Sequence, residues 1–143
     1  LAKAAYPALR ESRGAIVAVT SIAGTFPHAN YGPYSMSKAA LICLVQQLAQ
    51  EWGRDGIRVN GVAPGITRTR NAEAVYRDKD LAARRAAVVP LQRVADASEQ
   101  ASVIAFLLGK EASYVTGQNI TVDGGFAQSI MAFVPGRPPQ NPS

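Results

Sequence analysis

"AIVAVT", Ala15 to Thr20, is an unbroken apolar run rich in β-branched residues. A strand with one wet face alternates apolar and polar positions. A run without alternation fits a strand covered on both faces, as in a parallel sheet. Upstream, "LAKAAYPALRES" carries the pattern of a helix, and Arg13-Gly14 turns the chain. Downstream, "SIAGTFPHANYG" is a loop punctuated by Gly24, Pro27, Asn30 and Gly32. Pro33 suits the first turn of a helix, where its missing N–H costs nothing. That helix runs to Trp52 and stops at Gly53.

The same grammar repeats. "IRVNGVA", Ile57 to Ala63, reads as a second buried strand ended by Pro64-Gly65. Thr67 to Val89 is polar and arginine-rich with a weak helical pattern. Asp96 and Glu99 form a capping-box signal for a helix through "ASVIAFLL" to Gly109. "NITVD", Asn119 to Asp123, reads as a third strand, with Gly124-Gly125 turning out of it. Strands alternating with helices predict an α/β fold, a doubly wound parallel sheet. Residues 1–129 form one domain, and 130–143 form a Pro-rich tail.

The 143 residues are 48% apolar and 17% charged, enough for a packed core in a single domain. Net charge is +5, but no Lys/Arg run or aromatic-interleaved basic patch occurs, which argues against a nucleic-acid partner. No membrane-length apolar stretch and no secretory signal appears, so the expectation is a soluble cytoplasmic protein without a membrane partner. The one cysteine, Cys43, lies in an apolar run and reads as a small core residue. No metal-ligand cluster is expected. "AALICLV", Ala39 to Val45, is apolar all round, which predicts a helix covered on two sides. The sheet supplies one cover. A second subunit is expected to supply the other, giving a homodimer or homotetramer through helix 34–52.

"YSMSK" places Tyr34 four residues before Lys38. On a helix, positions four apart lie one above the other. A free phenol is a poor base at neutral pH, since it ionises near ~10. A nearby ammonium and the amino end of a helix both favour negative charge on it. Ser21 lies at the carboxyl end of the first buried strand. Tyr34 opens the next helix, and Pro64-Gly65 ends the next strand. All three segments meet at the carboxyl edge of the sheet, where open α/β sheets bind ligands.

"GAIVAVTSIAG", "YSMSK", "IRVNGVAPGITRT" and "YVTGQNITVDGG" together resemble the short-chain dehydrogenase/reductase family, in its order and over nearly the whole chain. The resemblance implies the carboxyl-terminal part of a Rossmann-like fold. It implies NAD or NADP as cofactor and hydride exchange with a secondary alcohol or ketone. The small-molecule substrate would be 3-oxoacyl-like, or a sugar or polyol. Tyr34 is implied as the catalytic acid/base, Lys38 as its electrostatic partner and the holder of the nicotinamide ribose, and Ser21 as the donor to the reacting oxygen. Pro64 and Gly65 are implied to let the backbone approach the nicotinamide, with Thr67 and Thr69 beside its carboxamide and phosphate side. Asn60 reads as structural. Tyr31 is followed four residues on by Ser35, so the spacing selects Tyr34.

No G-x-G occurs in this sequence, although the family holds the cofactor's pyrophosphate on a glycine-rich turn. Nor does the sequence contain the family's helix asparagine or a residue choosing between NAD and NADP. The expectation is a partial sequence, weak in cofactor binding when isolated, with an exposed edge at Ala15–Thr20. The alternative is a non-catalytic fragment acting through subunit association. A sugar-nucleotide epimerase shares the Tyr-Lys pair, but the "VTGQNITVDGG" ending argues against it. A serine hydrolase lacks its G-x-S-x-G elbow here. Residues 66–93 are expected to cover the site as a lid; its arginines read first as a solvated helical face, with contact to an anionic substrate as the alternative. His28 lies in the loop before Tyr34, which borders the substrate in the resembled fold; it reads as an ordinary loop residue, with a substrate contact as the alternative.

Overall fold

The computed structural model describes residues 1–69, 73–134 and 136. Three strands, β1 (Ala15–Val19), β2 (Arg58–Pro64) and β5 (Asn119–Val122), form one parallel sheet in the order β1-β2-β5. Ala15 lies opposite Arg58 and Val19 opposite Val62. Gly61 lies opposite Asn119, and Pro64 opposite Val122. A second, minimal parallel pair joins β3 (Thr67–Arg68) to β4 (Ala95–Asp96). The helices are α1 (Ala2–Ser12), α2 (Tyr34–Trp52), α3 (Glu73–Arg77), α4 (Lys79–Ala87) and α5 (Ala97–Leu108).

Period-two alternation sorts the strand residues onto two faces. Ile16, Ala18 and Val59 pack with Val45, Ala49 and Leu48 of α2 and with Tyr6 and Leu9 of α1. Val17, Val62 and Ile120 pack on the other face with Val103, Ile104 and Leu107 of α5. The sheet is therefore covered on both sides, as its unalternating strands require. One consequence is topological. The sheet grows in one direction from β1 to β2 to β5, while α2 and α5 lie on opposite faces. The two crossovers thus have opposite hands, and one is left-handed, an arrangement rare in parallel sheets. The long excursion between β2 and α5 gives the chain room to reach the second face.

Buried polar side chains tie the sheet together. Asn60 is fully buried; its amide donates to the Val115 carbonyl at 2.8 Å, and its oxygen accepts from the Gln118 N–H at 3.0 Å. It is structural, joining β2 to the segment that enters β5. Thr20 Oγ1 lies 2.9 Å from the Val62 carbonyl and 2.6 Å from Asn119 Oδ1, so it spans all three strands. Gly61 lies beneath that link, where a Cβ would come within 2.6 Å of Asn119 Oδ1.

Among the described residues β1 pairs with β2 alone and is the edge of the sheet, and Val19 at its end is 50% exposed. Cys43 is exposed, contrary to the core role expected from its apolar neighbours. The physical reason is that α2 is covered on its sheet side only. Ser35, Val45 and Ala49 are its buried residues, while Met36, Cys43 and Leu44 face outward. The weak helical pattern of 67–89 resolves into β3 and two short helices, α3 and α4. Arg70 and the tail from 137 onward lie outside the described residues. Among the described residues no helix is long and apolar enough to cross a membrane, and no group of three His, Cys, Asp or Glu could hold a metal.

The capping box at α5 is present. Asp96 caps the helix, and Glu99 accepts from the Asp96 N–H at 2.9 Å. Glu99 also takes a two-pronged contact from Arg93, at 2.7 Å on each prong. The Arg93 hydrogen bonds, then the Asp96 N–H, lower the Glu99 carboxyl to about 2. A carboxyl lowered on folding contributes stability that is present above its unfolded value near ~4.3 and lost as pH falls toward the folded value. Melting temperatures of the native chain and Glu99→Gln should therefore differ at neutral pH and converge as pH drops from the unfolded value to about 2. A gap unchanged across that window would show that the contact does not report on folding.

Candidate active site

Ser21 follows Thr20 directly, so the hydroxyl that spans the strands also fixes where Ser21 begins. Ser21 is 8% exposed and caps a tight 3-10 turn, Ile22–Gly24; its Oγ accepts from the Ala23 N–H at 3.1 Å. A hydroxyl that accepts one bond keeps its own proton for another acceptor. The turn presses against α2. A Cβ on Gly24 would come within 2.8 Å of the Lys38 carbonyl carbon and 3.0 Å of the Ala39 nitrogen. Glycine here is what lets the Ser21 turn and the Lys38 backbone touch.

Lys38 reaches back across that contact. Its Nζ donates to the Val19 carbonyl, the last of β1, at 2.9 Å, and lies 5.7 Å from the centroid of the Tyr34 ring. One of its three N–H groups is thereby anchored, and two remain for a ligand. Tyr34 is the first residue of α2 and is 40% exposed. Its ring continues a short aromatic series: Tyr31 at 6.0 Å, and His28 a further 4.1 Å from Tyr31. Ser35 holds the loop. It is buried, and its Oγ accepts from the His28 N–H at 3.1 Å. His28 itself is exposed, with Nδ1 2.8 Å from the Ala29 carbonyl.

The strand-end residues form a second group. Pro64 ends β2 opposite Val122, and the Gly65 N–H donates to the Val122 carbonyl at 3.1 Å. A Cβ on Gly65 would lie 2.4 Å from the Asp123 Cβ and 2.7 Å from its Cα. The absence of a side chain at Gly65 therefore serves first the approach of β5, a reason the sequence reading had not found. Thr67 Oγ1 donates to the Gly65 carbonyl at 3.3 Å and accepts from Gln100 Nε2, also at 3.3 Å. Thr69 is exposed just after β3. A cleft of about 110 Å³ lies nearby, lined by Ile66, Val89, Leu91, Ala95 and Gly124 among others. Ser21, Tyr34 and Lys38 do not line it, and the chemistry of the site rests on them rather than on the cleft.

Sequence reasoning missed Thr20, Ser35 and Gln100. Ser35 carried a signal, a polar residue on the inward side of the first helical turn. Gln100 carried none, because a glutamine after a capping box reads as surface.

A hydroxyl, a phenol and an ammonium thus stand where β1 ends and α2 begins. The family model described as enoyl-(acyl carrier protein) reductase matches residues 1–127. The chain belongs to the short-chain dehydrogenase/reductase family. Among its relatives, a tropinone reductase homolog of Arabidopsis thaliana, At2g29370, is 42% identical over 123 residues, covering 85% of this chain and 46% of the relative. Among solved structures, a 4-hydroxyisoleucine dehydrogenase complexed with NADH superposes with a TM-score of 0.82 at 31% identity, covering 87% of this chain and 52% of that one. A gluconate 5-dehydrogenase from Burkholderia cenocepacia, in complex with NADP and tartrate, gives 0.83 at 25% identity, with 90% and 51% covered. The chain spans about half the length of the curated relatives it matches. These family members share its α/β fold, a parallel sheet consistent with part of a Rossmann fold.

Proposed function

We propose that the protein carrying this sequence is an NAD(P)-dependent oxidoreductase acting on a secondary alcohol or ketone. One observation carries the reading. The Lys38 ammonium is held between the end of β1 and the Tyr34 ring, against the turn that Ser21 opens. The donor set suits a nicotinamide riboside. Two unused N–H groups of Lys38 suit a ribose diol, and Thr67, braced by Gln100, suits a carboxamide. The dinucleotide supplies the hydride chemistry. This chain's residues supply position and the proton. Ser21 donates to the substrate oxygen, and the Tyr34 hydroxyl gives that oxygen a proton during reduction or takes it during oxidation. Lys38 holds its positive charge 5.7 Å from the centroid of the Tyr34 ring.

Carbonyl substrates of the 3-oxoacyl or the sugar and polyol kind both fall within this reading. The neighbours named for 4-hydroxyisoleucine and gluconate support a polar hydroxy-acid range. The outward face of α2, with Met36 and Leu44, supports pairing with a second copy as homodimer or homotetramer. That face and the open edge of β1 also favour the second reading, a module acting only through association. Calorimetry with NADH and NADPH, together with loss of reduced-nicotinamide absorbance on a ketone panel, separates the two. The protein at its native length should bind one dinucleotide and reduce at least one ketone. Binding of neither dinucleotide would remove the oxidoreductase reading.

A further inference from the structure

Gln100 shares one face of α5 with Val103, Ile104 and Leu107, at the spacing of three and four that stacks helical side chains. Those three pack on the sheet with Val17, Val62 and Ile120. Gln100 is 6% exposed. By packing alone, an apolar residue of similar length would suit its place.

The amide is only half used. Nε2 donates to the Val122 carbonyl at 3.1 Å and to Thr67 Oγ1 at 3.3 Å. Oε1 is shielded from solvent and has no hydrogen-bond partner among the described residues. Turning the amide over does not help, because the oxygen would then face the Val122 carbonyl, which can only accept. A buried unpaired oxygen costs stability and calls for an explanation. Rescue of another buried group is not the explanation. The Val122 carbonyl already accepts from the Gly65 N–H at 3.1 Å, and Thr67 Oγ1 donates to the Gly65 carbonyl at 3.3 Å. Removing the amide would leave neither of them without a partner. What Gln100 alone supplies is a fixed state for the Thr67 hydroxyl.

A hydroxyl has one proton and two lone pairs. The Gly65 carbonyl takes the proton, and Gln100 Nε2 takes one lone pair. Thr67 Oγ1 is left able to accept from a ligand and not to donate to one. Thr67 begins β3, two residues past Gly65, at the carboxyl edge of the sheet. A carbonyl or phosphate oxygen offers such an acceptor nothing, whereas the N–H2 of a carboxamide does. We propose that Gln100 is a positioning residue that holds Thr67 Oγ1 as an acceptor for the amide N–H2 of a bound nicotinamide. The role deepens the oxidoreductase reading and rests on it, since the dinucleotide brings that amide.

The test uses the protein at its native length with NADH and with reduced 3-acetylpyridine adenine dinucleotide, in which a methyl group replaces the amide nitrogen. Calorimetry reads binding, and a denaturation midpoint without dinucleotide reads stability. The native protein should bind NADH about two- to tenfold more tightly than the acetyl analogue, the range of one net hydrogen bond. Gln100→Met, close in length and volume, should bring the two near parity with a midpoint no lower than native. Thr67→Val should remove the same preference. Adding Gln100→Met to Thr67→Val should change the preference no further, because residues that act as a unit are not additive. Equal native affinity for the two dinucleotides, or a preference that survives Gln100→Met, would overturn the role and leave the redox reading standing. So would a lower midpoint with both dinucleotides weakened alike, the mark of a packing residue. Binding of neither dinucleotide by the native protein would overturn the role and the redox reading together.

Discussion

Tyr34→Phe should lower kcat by at least about a hundredfold, within the range by which a positioned acid or base accelerates proton transfer. The substitution removes one oxygen and keeps the ring. The neighbouring Tyr31 ring at 6.0 Å and the Lys38 ammonium at 5.7 Å both contact the aromatic system, so the first turn of α2 should keep its shape. Melting temperature and dinucleotide affinity should therefore be close to native while turnover collapses. That combination distinguishes a proton donor from a packing residue. A variant retaining a third or more of native kcat would show that the proton comes from elsewhere. His28 would then be the next residue to replace, since it stands one ring beyond Tyr31.

Gly65→Ala should be the most damaging small substitution at the carboxyl edge. The new methyl would lie 2.4 Å from the Asp123 Cβ and 2.7 Å from its Cα. Part of that obstruction is main chain, which cannot rotate aside as a long side chain would. Either β2 or the turn after β5 must move. Asp123 has little freedom to do so, because its carboxylate accepts from the Gly125 N–H at 2.9 Å and the Ala127 N–H at 2.6 Å. Overpacking of this kind costs on the order of 1–3 kcal/mol, occasionally more. The loss should appear as a lower denaturation midpoint even without dinucleotide. If Gly65 matters only for the approach of the nicotinamide, the apo protein would be as stable as native and only cofactor affinity would fall. The two explanations of one glycine thus separate on a single denaturation curve.

Both strands were legible as strands, but their burial was not equally so: β2 is buried along most of its length, whereas β1, whose "AIVAVT" run lacks alternation, is only partly buried because it lies at the edge. The Asp96–Glu99 box was legible because it is local. Cys43 was misread because an all-apolar helix says how much surface seeks cover but not whether one chain provides it. The hand of the second crossover left no local mark, since it depends on which face α5 chooses after the thirty-two residues between Pro64 and Ala97. The spacing of Tyr34 and Lys38 predicted their adjacency. The anchor of Lys38 on Val19 was invisible, because no sequence pattern announces a bond to a carbonyl nineteen residues away.

That anchor has an evolutionary consequence. Lys38 is tethered to a peptide oxygen, and every amino acid supplies one. Drift in the identity of residue 19 leaves the tether in place, so lineages can exchange that side chain freely. A single-codon insertion or deletion inside β1 would instead shift which oxygen is offered, and would be purged even where the strand itself still formed.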